Sequence, residues 1–259
     1  MTKRSPMKKF LSVCQREKLC KSSNNLEYYL RSLFRDVVLK DKLVIDIGAG
    51  AGTYGFHAAL AGASKVVCLE PEAAGSRSGF IKKFRKVAGV LKLPQIKMIA
   101  KTFQEYRATG EKFDVLLLHH SINHLDEDAC ITLRENRESQ RSYKEIFKEL
   151  AKIAKPGSKL VVTDASRHNF FPTVGLKNPF VRSIEWHKHQ SPDVWVKLLS
   201  GAGFRKPTIT WLPPSQLRQF GQIFCSNFVA SYFLHSHFRL VMERGGRARK
   251  PKHLGLASS

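Results

Sequence analysis

The chain has 259 residues, 42% of them hydrophobic, which is enough to bury a sizeable core and too much for a disordered protein. Its apolar runs are short and its basic N-terminus lacks a continuous apolar segment, so the sequence predicts neither a transmembrane helix nor a signal peptide. The formal net charge of +23 bears on partners rather than on fold, and is compatible with nucleic acid, an anionic membrane face, an acidic substrate or simply a solvated surface.

Composition along the chain indicates three parts. Residues 1–25 form a basic N-terminal segment, residues 26–243 a folded domain, and residues 244–259 a basic tail that we expect to be disordered. The five cysteines include no CxxC pair, which favours a reducing compartment and no zinc framework. We therefore expect a cytoplasmic protein, and the basic ends leave open a peripheral contact with the inner membrane face.

The first half of the domain alternates helices with short apolar strands. A helix is predicted over 26–39, after the capping residues "SSNN". The strand "KLVIDI" then leads into a glycine-rich turn and a second helix, "TYGFHAALAGA". A strand "KVVCLEPE", a helix "GSRSGFIKKFRKVAGVL", and the strands "IKMIA" and "FDVLLLHH" follow in that order.

The second half continues this pattern and then departs from it. Residues 128–154 are predicted as one long helix or two, ended by Pro156 and Gly157, before a fifth strand, "KLVVTDA". A helix over 194–200 and two late strands, "TITWL" and "FRLVME", complete the domain. Short all-apolar strands alternating with helices indicate an α/β fold whose mostly parallel sheet is covered on both faces, and the late strands suggest an antiparallel hairpin at its edge.

The stretch "VIDIGAGAGTYG" joins a strand to a helix through closely spaced glycines. Glycine allows positive φ and close approach of a ligand to the main chain, and the helix start offers unpaired N–H groups. Glu70 ends the next strand, where a carboxylate can accept hydrogen bonds from a ribose diol. A dinucleotide site reads GxGxxG, whereas here the glycines are Gly48, Gly50 and Gly52, with Asp46 two residues before the first.

This spacing resembles motif I of the class I S-adenosylmethionine-dependent methyltransferases, E/D-x-G-x-G-x-G, and the resemblance extends from about residue 42 to residue 243. It implies a Rossmann-like, seven-stranded sheet with an antiparallel last strand, and S-adenosyl-L-methionine as the cofactor. It also implies that Asp46 and the glycine loop hold the amino-acid end of the cofactor, and that Glu70 binds the ribose hydroxyls.

The adenine contacts depart from the family pattern. Many members carry an acidic residue after the third strand, but here that place reads "AKTFQEY", so Thr102, Phe103 or Gln104 is predicted to serve instead. His119, at the end of the fourth strand, is also assigned to the cofactor. The predicted cofactor contacts are therefore Asp46, Gly48, Ala49, Gly50, Gly52, Glu70, Thr102, Phe103 and His119.

Two histidine-rich stretches supply candidate bases. "LLLHHSINHLDED" follows the fourth strand, at the edge where the reactive methyl should lie, and contains His120 and His124. "SIEWHKHQSPDVW" contains His187 and His189, which face the same side if the segment is extended. Histidine suits the removal of a proton near neutral pH, so these four are the candidate catalytic residues. A metal site would need a third ligand that nothing here demands, so none is predicted.

Two insertions, about 166–192 and 214–235, are predicted on the acceptor side of the domain. The first follows Asp164 and is too long for a simple loop, which suggests a lid or acceptor wall. The second is aromatic and helix-like, and would cap an apolar acceptor, rest on a membrane surface or pack on the core. With the histidine stretches they resemble a bacterial branch of the family whose acceptor the sequence does not identify.

The first functional prediction is methyl transfer to a hydroxyl or amine of a small molecule or glycan, with a histidine as general base. Lys and Arg side chains would suit an anionic acceptor. RNA methylation is an alternative that the charge supports, although no RNA-binding module or Asn/Asp-Pro-Pro-Tyr tetrapeptide is present. A noncatalytic protein that keeps the cofactor fold is an alternative of another class, and a dinucleotide oxidoreductase is opposed by the glycine spacing.

Overall fold

The computed structural model describes residues 5–72, 79–106 and 110–246. The predicted disordered tail falls mostly outside the described residues, as do the first residues of the predicted helix "GSRSGFIKKFRKVAGVL". The described strands are β1 (Leu43–Ile47), β2 (Lys65–Leu69), β3 (Ile96–Ile99), β4 (Phe113–His119), β5 (Ala154–Ala165), β6 (Phe204–Trp211) and β7 (His237–Arg244).

All seven strands form one sheet, in the order β3-β2-β1-β4-β5-β7-β6. The first five run parallel to one another, and β7 is antiparallel to both of its neighbours. The predicted mostly parallel sheet with an antiparallel last strand is confirmed, although β7 lies one place inside the edge and β6 forms the edge. The chain order reverses between β1 and β4, which is where open α/β sheets bind ligands beyond the carboxyl ends of the strands.

The described helices lie around this sheet. They are α1 (Pro6–Arg16), α2 (Ser23–Leu33), α3 (Thr53–Leu60), α4 (Phe80–Leu91), α5 (Glu127–Thr132), α6 (Arg137–Lys152), α7 (Phe170–Thr173), α8 (Pro192–Gly201), α9 (Arg218–Cys225) and α10 (Phe228–Phe233). The hydroxyl of Ser22 accepts the N–H of Asn25 and so caps α2, as the capping residues predicted. None of the described helices combines the length and apolar content that crossing a bilayer requires.

Asparagine caps divide two helical segments, and the first of them was predicted as one long helix or two. The predicted helix over 128–154 is two helices, because Asn136 accepts backbone N–H groups at the start of α6. The aromatic segment 216–234 is likewise divided into α9 and α10, and Asn227 caps the second. In addition, β5 begins at Ala154 rather than after the Pro-Gly pair, with an irregular register against β4.

The core consists of two apolar clusters, one on each face of the sheet. Ile45 and Ile47 of β1 belong to one cluster, and Val44, which directly precedes Ile45, belongs to the other. The strands alternate their side chains between the faces, so helices must cover both. This two-sided burial explains why the parallel strands read as mostly apolar runs.

The helix α1, which lies within the predicted basic N-terminal segment, packs onto the domain. Its Phe10, Leu11, Val13 and Cys14 are buried in the same cluster as side chains of α2 and α3. The chain just after α1 continues to the carboxyl edge of the sheet, where Lys18 lines a cavity. Part of the N-terminal segment is therefore a component of the folded unit and of its candidate site.

Arg239 of β7 fastens α2 to the sheet. Its side chain is buried, and its guanidinium donates hydrogen bonds to the carbonyl oxygens of Leu33, at 2.7 Å, and Arg35. These carbonyls lie at the end of α2, where a helix has unsatisfied acceptors and a partial negative charge. The anchored helix carries Tyr29, which reaches the carboxyl edge of β4.

Candidate active site

The turn after β1 has left-handed backbone at three glycines, with φ of 70° at Gly48, 54° at Gly50 and 74° at Gly52. A Cβ on Gly48 would lie 2.5 Å from the Cβ of Ser121, and one on Gly52 would lie 2.5 Å from a phenylalanine ring of α4. Packing therefore requires glycine at both places. At Gly50 the nearest atoms, of the Phe80 ring, would be 3.7 Å away, so the protein itself leaves room there.

Glu70 holds this turn against the end of β2. The carboxylate is almost fully buried, with Oε2 accepting the N–H of Gly50 at 2.7 Å and Oε1 accepting the N–H of Glu72 at 3.0 Å. A carboxylate has about four acceptor positions, so these bonds are compatible with further donors. The same side chain thus fixes the loop and presents carboxylate oxygens beside it.

These residues line a cavity of about 650 Å³, the glycine-loop cavity. Seven predicted cofactor contacts lie on its wall: Gly48, Ala49, Gly50, Glu70, Thr102, Phe103 and His119. The Thr102 hydroxyl is also bonded to Glu105 at 2.9 Å, and Gln104 lines the same wall. Gly52 and Asp46 are not on the wall; Gly52 packs against α4 instead.

Asp46 lies fully buried behind the glycine loop. Neither carboxylate oxygen has a hydrogen-bond partner of good geometry among the described residues. Burial raises the pKa of Asp46 to about 7; the nearby N–H of Gly55 opposes this rise and the charge of Glu70 adds to it. This carboxyl therefore lies beneath the loop and off the cavity wall, and its predicted contact with the amino-acid end of the cofactor stays a prediction.

Asp46→Asn should make stability less sensitive to pH. A carboxyl whose pKa is raised by folding holds its proton in the native state, so the wild type loses stability as pH rises from about 4 to about 7. The free energy of unfolding of Asp46→Asn relative to wild type should therefore rise by up to a few kcal/mol over that window and level off above it. Melting temperatures of the two proteins, measured across this pH range, check the change.

Asp114→Asn is the matched control for this titration. Burial raises the pKa of Asp114, but the hydrogen bonds from Lys155 and the N–H of Leu43 outweigh it, so the net pKa is lowered. The lowered pKa stabilises the native state above the unfolded value, and Asp114→Asn should lose stability relative to wild type as pH rises. A difference between Asp46→Asn and wild type that stays flat from pH 4 to pH 8 would contradict the buried titration.

A second cavity, of about 670 Å³, adjoins the first at the carboxyl edge and is here called the histidine cavity. The two cavities share three wall residues, Tyr54, His119 and His120. The rest of the wall is mostly apolar and comes from the two predicted insertions, from Tyr29 of α2, from Leu212 and Pro213 after β6, and from the start of β7. None of its described lining residues is Lys, Arg, Asp or Glu.

His119 contacts two tyrosines at the wall that the two cavities share. Its Nε2 lies 2.9 Å from the hydroxyl of Tyr29, and its ring stacks on that of Tyr54 with centroids 3.8 Å apart. Burial, reinforced by the neighbouring His120, lowers the pKa of His119 well below its ordinary value. This imidazole is consequently neutral near pH 7 and able to donate or accept one hydrogen bond.

His120 combines strained backbone with a buried carboxylate partner. Its φ of 50° is left-handed, a conformation that non-glycine residues adopt mainly under constraint. Its Nδ1 lies 3.8 Å from Oδ1 of Asp164, and the same oxygen lies 3.0 Å from Nδ1 of His189. Burial raises the pKa of Asp164, but the contacts with the two histidines lower it further than burial raises it.

The other two candidate bases lie apart from this pair. His124 lines the glycine-loop cavity, and its Nδ1 lies 2.7 Å from the carboxylate of Glu127. His187 is exposed on the 3-10 turn Trp186–Lys188, so the predicted extended segment with His187 and His189 on one side is wrong. The turn separates the two imidazoles: only His189 reaches Asp164, and it lines neither cavity.

Several wall residues were not singled out from the sequence. Tyr54 directly follows the glycine loop, and His235 and His237 flank the start of β7 in the alternating pattern "HSH". Burial lowers the pKa of His235 to about 4 and that of His237 well below its ordinary value. Among the described residues, no group of three or more His, Cys, Asp or Glu side chains is arranged to hold a metal ion.

A methyltransferase-domain family model matches residues 39–203, more than half of the chain. The chain belongs to this methyltransferase family. The match spans β1, the glycine loop and the strands that follow, and it confirms an enzyme of the predicted class I, S-adenosylmethionine-dependent kind. The alternative of a noncatalytic protein with a cofactor fold is therefore set aside.

Solved structures share the methyltransferase's fold at low sequence identity. An S-adenosylmethionine-dependent methyltransferase from Aquifex aeolicus aligns with a TM-score of 0.59 and 14% identity, covering 89% of this chain and 97% of its own. One from Mesorhizobium loti aligns with a TM-score of 0.56 and 13% identity, covering 83% and 96%. No curated protein matches the sequence significantly.

The methyltransferase's residues fit S-adenosyl-L-methionine, the cofactor of the class. The glycine-loop cavity is within the usual range for small-molecule sites, roughly 300–1,000 Å³. Its wall exposes main chain at Gly50, where the protein leaves room beside the backbone. Glu70 stands at the end of β2, next to this main chain, as a ribose-binding carboxylate should.

Proposed function

We propose that this methyltransferase transfers a methyl group to a hydroxyl or amine of a small molecule bound in the histidine cavity, with His120 as the general base. The observation that carries the proposal is that His120 lines both cavities while its Nδ1 faces the buried carboxylate of Asp164. A general base acts where acceptor and methyl donor meet. His120 occupies the boundary between the two spaces.

In this proposal the glycine-loop cavity holds the cofactor. The loop 48–50 takes the amino-acid end, Glu70 takes the ribose hydroxyls, and Thr102 and Phe103 flank the adenine. When bound, S-adenosyl-L-methionine supplies an electrophilic methyl group on its sulfonium. The chain's main task is then alignment, which in well-oriented reactions contributes about 7–11 kcal/mol.

The proton of the acceptor is removed by His120. Its Nδ1 faces Asp164, which leaves Nε2 to accept a proton from the acceptor. Asp164 is ionised at neutral pH because its pKa is lowered, so it stabilises the imidazolium that forms. His189 bonds the same carboxylate from outside both cavities, and we assign it the role of a positioning residue.

The histidine cavity favours an uncharged acceptor with an apolar body. Phe180, Leu212 and Leu234 contribute apolar wall, and the imidazoles of His235 and His237 are neutral because burial lowers their pKa values. A wall without Lys or Arg offers no cation to an anionic acceptor, and an apolar wall suits a glycan less than a ring or an alkyl chain. The class of acceptor that we propose, an uncharged small molecule with an apolar body, is therefore narrower than the range that the sequence alone indicates.

RNA is the second candidate acceptor, because the net charge of +23 attracts phosphates. Such a contact would use the basic surface and would weaken steeply as salt is raised. The uncharged wall of the histidine cavity argues against RNA as the group that receives the methyl.

The acceptor can be found with methyl-labelled cofactor and an extract of the protein's own cell. The reaction mixture is separated into organic-soluble small molecules, aqueous small molecules and glycans, and RNA. We expect label in the organic-soluble fraction, and its loss when the His120→Ala variant replaces the wild type. Label confined to RNA or to the glycan fraction would refute the proposed acceptor, and label that persists with His120→Ala would refute the proposed base.

A further inference from the structure

The helices α9 and α10 expose large apolar side chains to solvent. Phe220, Ile223 and Phe224 of α9 and Phe228, Val229 and Phe233 of α10 are between 47% and 73% exposed, and we call these six side chains the α9–α10 patch. Two of the rings, Phe220 and Phe224, lie with centroids 4.7 Å apart. A cluster of this kind on a folded protein marks an interaction surface more often than a scattered exposed residue does.

The exposed large apolar side chains are concentrated in one region of the molecule. Twelve large apolar side chains are exposed among the described residues, and all except Val38 and Ile209 lie on the segments 174–180 and 217–233. Just before the first segment, Phe170 of α7 packs against Phe233 of α10 in the second, with ring centroids 5.0 Å apart. The apolar surface is thus concentrated on the two acceptor-side insertions.

The segments that carry the patch and the neighbouring exposed apolar residues contain only cationic charged side chains. The segments 174–184 and 212–236 contain no Asp or Glu. Their cationic side chains, Lys177, Arg182 and Arg218, are all exposed. Apolar and aromatic side chains beside Lys and Arg are the combination by which an interfacial helix binds an anionic membrane surface.

The patch also adjoins the histidine cavity. Leu217 and Phe180 are both exposed and line that cavity, so the apolar surface continues into its wall. The opposite side of α9 is fastened to α2, where the hydroxyl of Tyr28 donates to Gln222 at 2.6 Å. The helix is therefore seated on the protein while its phenylalanines face outward.

We propose that the α9–α10 patch docks onto the surface of an anionic phospholipid membrane. The apolar side chains enter the boundary of the acyl chains, and the nearby cations meet the phosphate headgroups. A second copy of this chain is a poorer partner, because two such basic faces repel each other. The proposal does not rest on the proposed methyl acceptor, since binding to lipid can be measured without turnover.

Sedimentation of the full chain with lipid vesicles tests this proposal. The protein should sediment with vesicles of phosphatidylglycerol and much less with vesicles of phosphatidylcholine. The combined substitutions Phe220→Ser, Ile223→Ser and Phe224→Ser should weaken binding to phosphatidylglycerol by about tenfold or more, because they remove apolar area but no charge. The control Val38→Ser, at an equally exposed position before β1 and so at the opposite edge of the sheet, should bind as wild type.

A second variant tests insertion without removing the apolar surface. In Ile223→Trp, the added indole emission should shift to the blue with phosphatidylglycerol vesicles and be quenched by brominated acyl chains. Equal binding by the triple serine variant, or no quenching of the added indole, would overturn the proposal in favour of contact by charge alone. A wild-type dimer that the serine substitutions convert to a monomer would overturn it in favour of a second copy.

Discussion

Gly50→Arg should abolish the binding of S-adenosyl-L-methionine while leaving the chain folded. Gly50 lines the glycine-loop cavity, and a Cβ at this position would meet only the Phe80 ring at ordinary contact distance. The first atom of the new side chain is therefore accommodated, and the rest of the side chain takes space that the cofactor needs. Isothermal titration calorimetry should show no heat from a solution of cofactor that saturates the wild type.

The cost to folding should be small and measurable. Gly50 has a φ of 54°, and a left-handed residue other than glycine costs roughly 1–2 kcal/mol. The control is Gly89→Arg in α4, where nothing lies within 4 Å of the added Cβ and the gain in helix propensity is about 1 kcal/mol. This control should bind cofactor normally and melt slightly higher. If folded Gly50→Arg bound cofactor like wild type, the loop would not be its binding site.

The order of strands and helices could be predicted because a strand buried on both faces of a parallel sheet is recognisable as a short apolar segment. Each of β1, β2 and β4 reads as a short, mostly apolar run. The turn after β1 reads as closely spaced glycines, although the contacts that require glycine at Gly48 and Gly52 are with the distant residues Ser121 and Phe84. The points at which the helical segments divide were harder to predict from the sequence. Whether Asn136 or Asn227 caps a helix or sits inside one depends on how the flanking segments pack.

The site could be predicted only in part, for a related reason. The cofactor-side residues belong to the strand ends that the sequence reveals, and seven of the nine lie on one wall. The residues whose contacts distinguish one histidine from another lie elsewhere in the chain. Tyr29 reaches His119 across 90 residues, and His189 reaches Asp164 across 25, so neither pairing follows from local spacing.

Position and charge also separate residues that sequence spacing treats alike. His119 and His120 are adjacent, yet the first lies partly buried between tyrosines and the second faces a carboxylate. Asp46 and Asp164 both end up fully buried, but burial raises the pKa of the first, whereas two imidazoles lower that of the second despite burial. A carboxylate that stays ionised beside an imidazole supports a base, and a carboxyl that holds its proton does not.

His120→Ala should lower turnover by about 10²–10⁴-fold, the usual contribution of a general base, while cofactor affinity changes little. Initial rates, together with calorimetry of cofactor binding, would measure both quantities once an acceptor is known.

Three matched histidine substitutions decide whether the effect belongs to this residue. His187→Ala should be inert, because that side chain is exposed on its turn and lines neither cavity. His189→Ala should lower turnover less than His120→Ala, because Asp164 then loses its 3.0 Å partner but keeps His120. A larger loss in His124→Ala than in His120→Ala would move the base to the wall of the glycine-loop cavity. The ranking follows from geometry: only a residue that meets both cavities and a buried carboxylate can take the proton where the methyl arrives.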